Sequence, residues 1–436
     1  MKSIAVIGSG IAGLSAAWLL SRRYEVTLFE SQDWLGGHTH TVDLTLDGVS
    51  AAVDTGFLVF NDRTYPNLVA LFDHLGVASA RSDMSFSVRV EHERLEWAGT
   101  DLSTLFAQKS NLVRPAFWSM VRDILRFNRE ANAQIAIGSI PDGSLGAYLS
   151  AGGYGRAFRD WYLLPMAAAI WSCPTRQMLE YPCATFLRFC HNHGLLSIQD
   201  RPQWRTVLGG GREYVKRMAM AIRDLRPSTA VERVLRVGER VEVQSDTGVE
   251  RFDAVVLGCH SDQALRLLAD ADPDERRVLG SVLYQPNEVV LHTDVSFLPR
   301  TRKAWAAWNY IADGAKPGAS AVSVSYWLNR LQPLPFTTPV IETLNPIHSP
   351  RPETVLARFE YSHPVFDARA LLAQSELARI QGRRATWFCG AWTGDGFHEA
   401  GLRSGLAVAA ALGVRAPWQD SRNVAAQRPP EHALAA

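Results

Sequence analysis

Little in this chain departs from ordinary globular usage, and its gaps narrow the reading. Neither charge is in excess: 45 lysines and arginines against 44 acids leave a net charge of +1. No basic face for nucleic acid is therefore expected. No apolar run approaches the roughly 18 residues that read as a bilayer-spanning helix, which leaves only peripheral contact with a membrane open. Cysteine is scarce. Cys173, Cys183, Cys190, Cys259 and Cys389 are odd in number and never spaced C-x-x-C, so reduced thiols in a cytoplasmic setting are expected. The apolar N-terminus is not organised as a signal peptide, because glycines and a second strand follow at once. No internal repeat is visible. What remains is 436 residues, 47% hydrophobic and 20% charged, enough for about two to three domains.

The densest signal lies in the first forty residues. Ser3-Ile4-Ala5-Val6-Ile7 reads as a strand and runs into Gly8-Ser9-Gly10-Ile11-Ala12-Gly13. An apolar helix follows over Leu14 to Leu20, then a second strand, Glu25 to Phe29, closed by Glu30 and Ser31. Strand, G-x-G-x-x-G, helix, strand and acid in this order define a dinucleotide-binding unit. Gly8 permits the tight turn, Gly10 the approach of a pyrophosphate, and Gly13 the close packing of helix on strand. The helix N-terminus offers free N–H groups and its positive dipole end. Glu30 stands where a carboxylate can accept from a ribose hydroxyl. No second such motif follows a strand, so a separate NAD(P)H domain is not expected. Gly209-Gly210-Gly211 follows the polar stretch Arg205 to Leu208 and lacks that context.

Further glycine turns follow at Gly36-Gly37-His38 and at Val53-Asp54-Thr55-Gly56-Phe57-Leu58. Near the other end, the strand Thr386 to Cys389 meets Gly390, then the block Gly394-Asp395-Gly396-Phe397-His398-Glu399-Ala400-Gly401-Leu402-Arg403-Ser404-Gly405. A small-residue helix is expected over Leu406 to Leu412. Two anion-cradling elements at opposite ends of one chain suit a long cofactor between them.

With these motifs the whole chain resembles the flavin-containing amine oxidase and phytoene desaturase superfamily. The resemblance implies an α/β fold: a Rossmann-like FAD-binding domain of the GR2 type, interrupted by an α+β substrate domain. It assigns residues 1–70, 206–270 and 375–415 to the FAD domain. It assigns residues 71–205 and 271–374 to the substrate domain, and 416–436 to a flexible tail. The pyrophosphate would lie at Gly8, Gly10, Ile11, Ala12 and Gly13, and the ADP ribose at Glu30 and Ser31. Gly36, Gly37, Gly56, Phe57 and Leu58 would lie along the flavin. Gly390, Gly401 and Leu402 would meet the pyrophosphate and ring, with Val231 on the adenine through its backbone. His38 stands where relatives often carry arginine at the phosphates.

The resemblance also bears on chemistry. Amine oxidases of this superfamily usually have a cage tyrosine and a lysine that holds a water. Phe397 occupies the tyrosine position, and no lysine occurs near Asn287-Glu288-Val289-Val290. Phenylalanine leaves an apolar wall without a polar handle. The central stretches Pro165 to Ser172, Phe186 to Phe189, Asn192 to Leu196 and Pro202 to Thr206 are similar to one bacterial branch. That branch is commonly linked with cyclopropane-fatty-acid-synthase-type methyltransferases. Its better understood members resemble desaturases of methyl-branched acyl chains on the way to furan fatty acids. A fatty acyl lipid substrate and a lipid methyltransferase partner are therefore expected. An amine oxidase and a non-catalytic FAD-binding partner stand as alternatives. Candidate proton acceptors are His398, His193 and Glu360, with Phe397 as the wall beside them; histidine titrates near working pH. His38 and His40 lack a third ligand at suitable spacing, so no metal is expected.

Coarser expectations complete the reading. Helices are expected over 67–75 and 115–137, the second with Phe117, Met120, Val121, Ile124 and Leu125 at helical spacing. A hairpin is expected over 85–97, helices over 145–205, a helix from Gly211 through Arg223, strands over 234–237, 241–244, 254–257, 282–293 and 320–327, and a helix over 371–380.

Overall fold

A computed structural model describes residues 2–171, 175–197, 201–312 and 323–419. Five parallel strands form the first sheet, in the order Asp224–Arg226, Glu25–Phe29, Ser3–Ile7, Ala254–Leu257 and Thr386–Phe388. Three distant stretches of chain thus meet in one sheet. Its strands are short apolar runs, as expected where both faces are covered. The helix Ile11–Leu20 lies against it with every residue buried, which its apolar circumference requires. An antiparallel meander, Val231–Val237, Arg240–Ser245 and Gly248–Phe252, stands beside it.

The second sheet has seven strands, in the order Val355–Val365, Leu283–His292, Ile341–Leu344, Ser323–Trp327, Trp308–Ala312, Phe86–Val90 and Leu95–Ala98. All pairings are antiparallel except that of Trp308–Ala312 with Phe86–Val90. Helices Pro115–Ala136, Leu145–Ala151, Leu164–Trp171, Thr175–Glu180 and Cys183–Asn192 cover one side of the molecule.

Four local expectations change. The C-terminal helix spans His398–Ala411 and begins eight residues before Leu406. The glycines that made its first half look like a loop are contact points with the first helix. A Cβ on Gly405 would lie 2.2 Å from the Ala12 carbonyl oxygen, and one on Gly401 would lie 2.8 Å from Ile11 Cγ2. Trp204–Val207 is a strand, the centre of a small antiparallel sheet with Phe60–Asn61 and Ser79–Arg81. The strand Gly248–Phe252 went unrecognised because its sequence, Gly-Val-Glu-Arg-Phe, has little apolar alternation. Residues 416–419 are packed and not part of a tail: Trp418 stacks on Trp18 at 6.2 Å and its indole N–H donates to Asn67. The tail expected beyond 419, the residues Ser172 and Cys173, and the start of the strand expected from Ser320 lie outside the described residues.

Candidate active site

One cavity of about 1020 Å³ runs between the two sheets and under the helices. Gly8, Gly10, Ile11, Ala12, Glu30 and Ser31 line one part of it. Gly8 has φ +97°, and a Cβ on Gly13 would lie 2.0 Å from the Gly8 carbonyl oxygen, so both glycines are required by the turn itself. Gly10 differs. A Cβ there meets nothing within 4 Å, because Gly10 borders the cavity. The helix behind it has no side-chain cap, which leaves its first N–H groups facing the cavity. The helix His398–Ala411 likewise has no side-chain cap at Phe397. Gly390, Phe397 and His398 line the opposite part. Two uncapped N-termini on one cavity, with open space at Gly10, fit the phosphates of a dinucleotide.

Glu30 is buried and holds the glycine turn. Its Oε2 accepts from the Ser9 N–H at 2.8 Å and the Ser9 hydroxyl at 2.6 Å, and its Oε1 accepts from the Gln32 N–H at 3.0 Å. The Ser31 hydroxyl reaches Oε1 only at 3.3 Å, the bond a ribose hydroxyl would most readily replace. Gly36 and Gly37 have φ of +114° and +57° and bring their turn against Gly10. A Cβ on Gly56 would lie 2.1 Å from the His38 carbonyl oxygen, and the Phe57 N–H donates to that oxygen at 2.8 Å. Gly36, Gly37, His38, Gly56, Phe57, Leu58 and Val231 all border the cavity. Gly13, Gly401 and Leu402 do not; they serve the packing of turn and helices behind it.

The candidate proton acceptors separate clearly. Glu360 is a correction. It lies on the outward face of Val355–Val365, exposed and opposite Glu288, while its neighbour Tyr361 points into the cavity. Successive strand residues face opposite ways, so Glu360 cannot share the Tyr361 side. His398 borders the cavity and stacks on Phe57, with centroids 3.9 Å apart. Its Nε2 is 2.8 Å from the Tyr214 hydroxyl, and burial pushes its pKa down to about 3. His193 stacks on Phe189 at 3.9 Å and lies 5.8 Å from the Phe397 ring. Its Nδ1 bonds the Phe189 carbonyl oxygen at 3.0 Å. A carbonyl can only accept, so Nδ1 carries the proton and Nε2 the lone pair. Burial lowers its pKa. Phe397 stacks on Phe189 at 5.2 Å, and Phe189 meets Trp171 at 4.6 Å, forming an aromatic wall.

His38 has company that sequence spacing hid. His363 and His260 lie 5.5 and 6.1 Å from it, and all three border the cavity. Burial, then these neighbours, push His38 down to about 3, and its buried Nε2 has no hydrogen-bond partner. Among the described residues no group of three or more His, Cys, Asp or Glu is arranged to hold a metal ion.

One acid in the cavity wall was missed. Glu342 lies in Ile341–Leu344, where every residue is buried, and its Oε2 has no hydrogen-bond partner. Burial, reinforced by the charge of Asp54, pushes its pKa well above the usual carboxylate range. Glu342, Tyr326, Trp308 and Phe86 are successive cross-strand partners, and all four border the cavity. Val289, in the region where no lysine stands, borders it too. The signal available in sequence was a lone acid between Ile341 and Leu344.

A Rossmann-type sheet joined to a mostly antiparallel seven-stranded sheet, with one cavity across both, is a fold this chain shares with solved amine oxidases and a fatty acid isomerase. Residues 6–75 match the family described as NAD(P)-binding Rossmann-like domain. A carotenoid phi-ring synthase of Streptomyces griseus is 27% identical over 323 residues, covering 68% of this chain and 58% of that protein. A probable polyamine oxidase 4 of Arabidopsis thaliana is 26% identical over 322 residues, covering 68% and 59%. The chain thus spans less than two thirds of the length of these curated relatives. Among solved structures, a CLA-producing fatty acid isomerase from P. acnes superposes with a TM-score of 0.64 at 16% identity, over 95% of this chain and 99% of that one.

Proposed function

We propose that this protein binds FAD and removes hydride from a C–H bond of an acyl lipid. The specific reading is desaturation of methyl-branched unsaturated fatty acyl chains of the kind that lead to furan fatty acids. The observation that carries it is the apolar character of the wall. Phe397 stacks on Phe189, and Val289 borders the cavity in the region where a lysine would serve an amine oxidase. The fold is shared alike with a fatty acid isomerase and a cyclohexylamine oxidase, so the wall and not the fold favours an acyl substrate.

When bound, FAD supplies the hydride acceptor. The chain supplies the rest. The turn at Gly8 to Ala12 and the N-terminus at Phe397 hold the phosphates. Trp171, Phe189 and Phe397 orient an acyl chain and exclude water. Glu342 is the acid we assign to take the neighbouring proton; its raised proton affinity makes it a strong acceptor once ionised.

Glu342 also favours a second reading, as a carboxylate among Trp308 and Tyr326 is a setting that attracts a cation. A small amine is therefore the competing substrate. The test is product analysis. Flavin-loaded protein incubated with methyl-branched acyl phospholipid should yield a chain two hydrogens lighter. Release of ammonia or aldehyde from amines, with lipid unchanged, overturns the acyl reading.

A further inference from the structure

The helix Pro115–Ala136 has two unlike faces. Phe117, Met120, Phe127 and Ala131 are buried against the protein, whereas Trp118, Arg122, Leu125 and Arg129 form an exposed stripe at helical spacing. Of its two acids, Glu130 accepts from the Tyr154 hydroxyl, and Asp123 is buried, accepts from the Gly155 N–H and lies 3.8 Å from the exposed Arg122 and 3.6 Å from Arg126, which leaves Arg129 on the stripe without an acid of this helix beside it. The stripe is therefore apolar and positive.

It continues beyond the helix. The turn Lys109–Val113 precedes it and exposes Lys109, Leu112 and Val113. The Trp118 indole N–H donates to the Leu112 carbonyl at 2.9 Å, and the Trp118 ring lies 5.2 Å from Phe106. Phe106 ends the short helix Leu102–Leu105. Of the fourteen large apolar side chains exposed among the described residues, six lie between 102 and 137, led by Val113 at 81% and Leu102 at 76%. One acid, Asp101, stands at the margin, where it caps the Leu102–Leu105 helix through the Thr104 N–H. The Thr104 hydroxyl bonds the Ala98 carbonyl oxygen. The next two residues, Gly99 and Thr100, are exposed and border the cavity. The patch thus adjoins a mouth of the cavity.

We propose that the face carrying Leu102, Leu112, Val113, Trp118, Arg122 and Arg129 docks on an anionic phospholipid bilayer and sets the mouth at Gly99 and Thr100 against it. Apolar side chains with interleaved arginines are the composition of an element lying in the membrane interface. The basic side chains choose the occupant. A second copy of this face would bring Lys109, Arg122 and Arg129 against like charges, whereas an anionic leaflet supplies their counter-charges. The proposal rests on the acyl-lipid reading for its purpose, because it lets a chain pass from bilayer to cavity without crossing water.

The test is sedimentation of flavin-loaded protein with two sets of vesicles, pure phosphatidylcholine and equal parts phosphatidylcholine and phosphatidylglycerol. Protein should pellet with the anionic vesicles and be released by salt. Val113→Asp, at an exposed position, and the pair Arg122→Glu with Arg129→Glu should each weaken binding about tenfold or more. Both variants should oxidise detergent-dispersed acyl lipid at the wild-type rate and vesicle lipid slowly. Equal pelleting of wild type and variants, or no pelleting with anionic vesicles, overturns the proposal. So does a dimer in velocity sedimentation that Val113→Asp dissociates. If neither dispersed nor vesicle lipid is oxidised while binding follows the predicted pattern, the acyl-lipid reading fails and the docking face stands.

Discussion

Glu342 and Tyr326 face each other across adjacent antiparallel strands, and both border the cavity. A buried carboxyl oxygen without a partner weakens the fold, so its presence there argues for use. Glu342→Gln should cut turnover about 100-fold or more, the usual contribution of a positioned proton acceptor, while the variant folds and keeps its flavin. The pH dependence of stability gives a second readout. The folded pKa of Glu342 is raised, so the folded state keeps a proton that the unfolded chain loses. Its contribution is present below the ordinary carboxylate pKa and is lost as pH rises toward the folded value. Glu342→Gln should therefore melt higher than wild type at neutral pH and equal to it in acid. A lower melting temperature at neutral pH would mark Glu342 as structural.

Gly10 and Gly405 should part company under the same substitution. Gly405→Ala drives a methyl group into the Ala12 carbonyl and the Ser15 hydroxyl, each 2.2 Å away. Overpacking of this kind costs about 1–3 kcal/mol, read as a lowered denaturation midpoint. Gly10→Ala meets only open cavity. It should fold like wild type and lose flavin, measured as cofactor absorbance per mole of folded protein.

Acid should destabilise the protein through its buried histidines. Burial holds His38 and His398 down to about 3 and His363 and His292 down to about 4. The unfolded chain takes up these protons below about pH 6.5, and the folded one does not. Stability should fall with falling pH by about 1.4 kcal/mol per unit for each histidine until its folded pKa is reached. Urea midpoints at neutral pH and near pH 5 measure it. His398→Asn should leave the shape of the pH–rate profile unchanged, because a neutral His398 does not titrate in the working range.

Glu360→Gln should leave turnover within a factor of about two, as is usual for exposed positions remote from the chemistry. A loss comparable to that of Glu342→Gln would contradict the outward placement.

The parts of the fold that were legible in sequence are those fixed by local chemistry. Ser3 to Glu30 combines periodicity, turn glycines and an acid, and each constrains the backbone nearby. Gly401 and Gly405 misled because their reason is a partner almost 400 residues away in sequence. Glu360 is an acid next to the cavity-lining Tyr361 in sequence, yet strand parity puts it on the other face. His38, His260 and His363 meet only through pairing of the second sheet and return of the first, which spacing cannot show. Glu342 left one trace, an acid between Ile341 and Leu344, and only the folded chain shows that its Oε2 is buried without a hydrogen-bond partner.

Anaerobic titration of the flavin-loaded protein tests the central claim most directly. Methyl-branched monounsaturated acyl phospholipid should bleach the flavin and return a chain with one more double bond, while primary amines and polyamines leave the colour unchanged. Bleaching by an amine, with the lipid inert, would contradict the account.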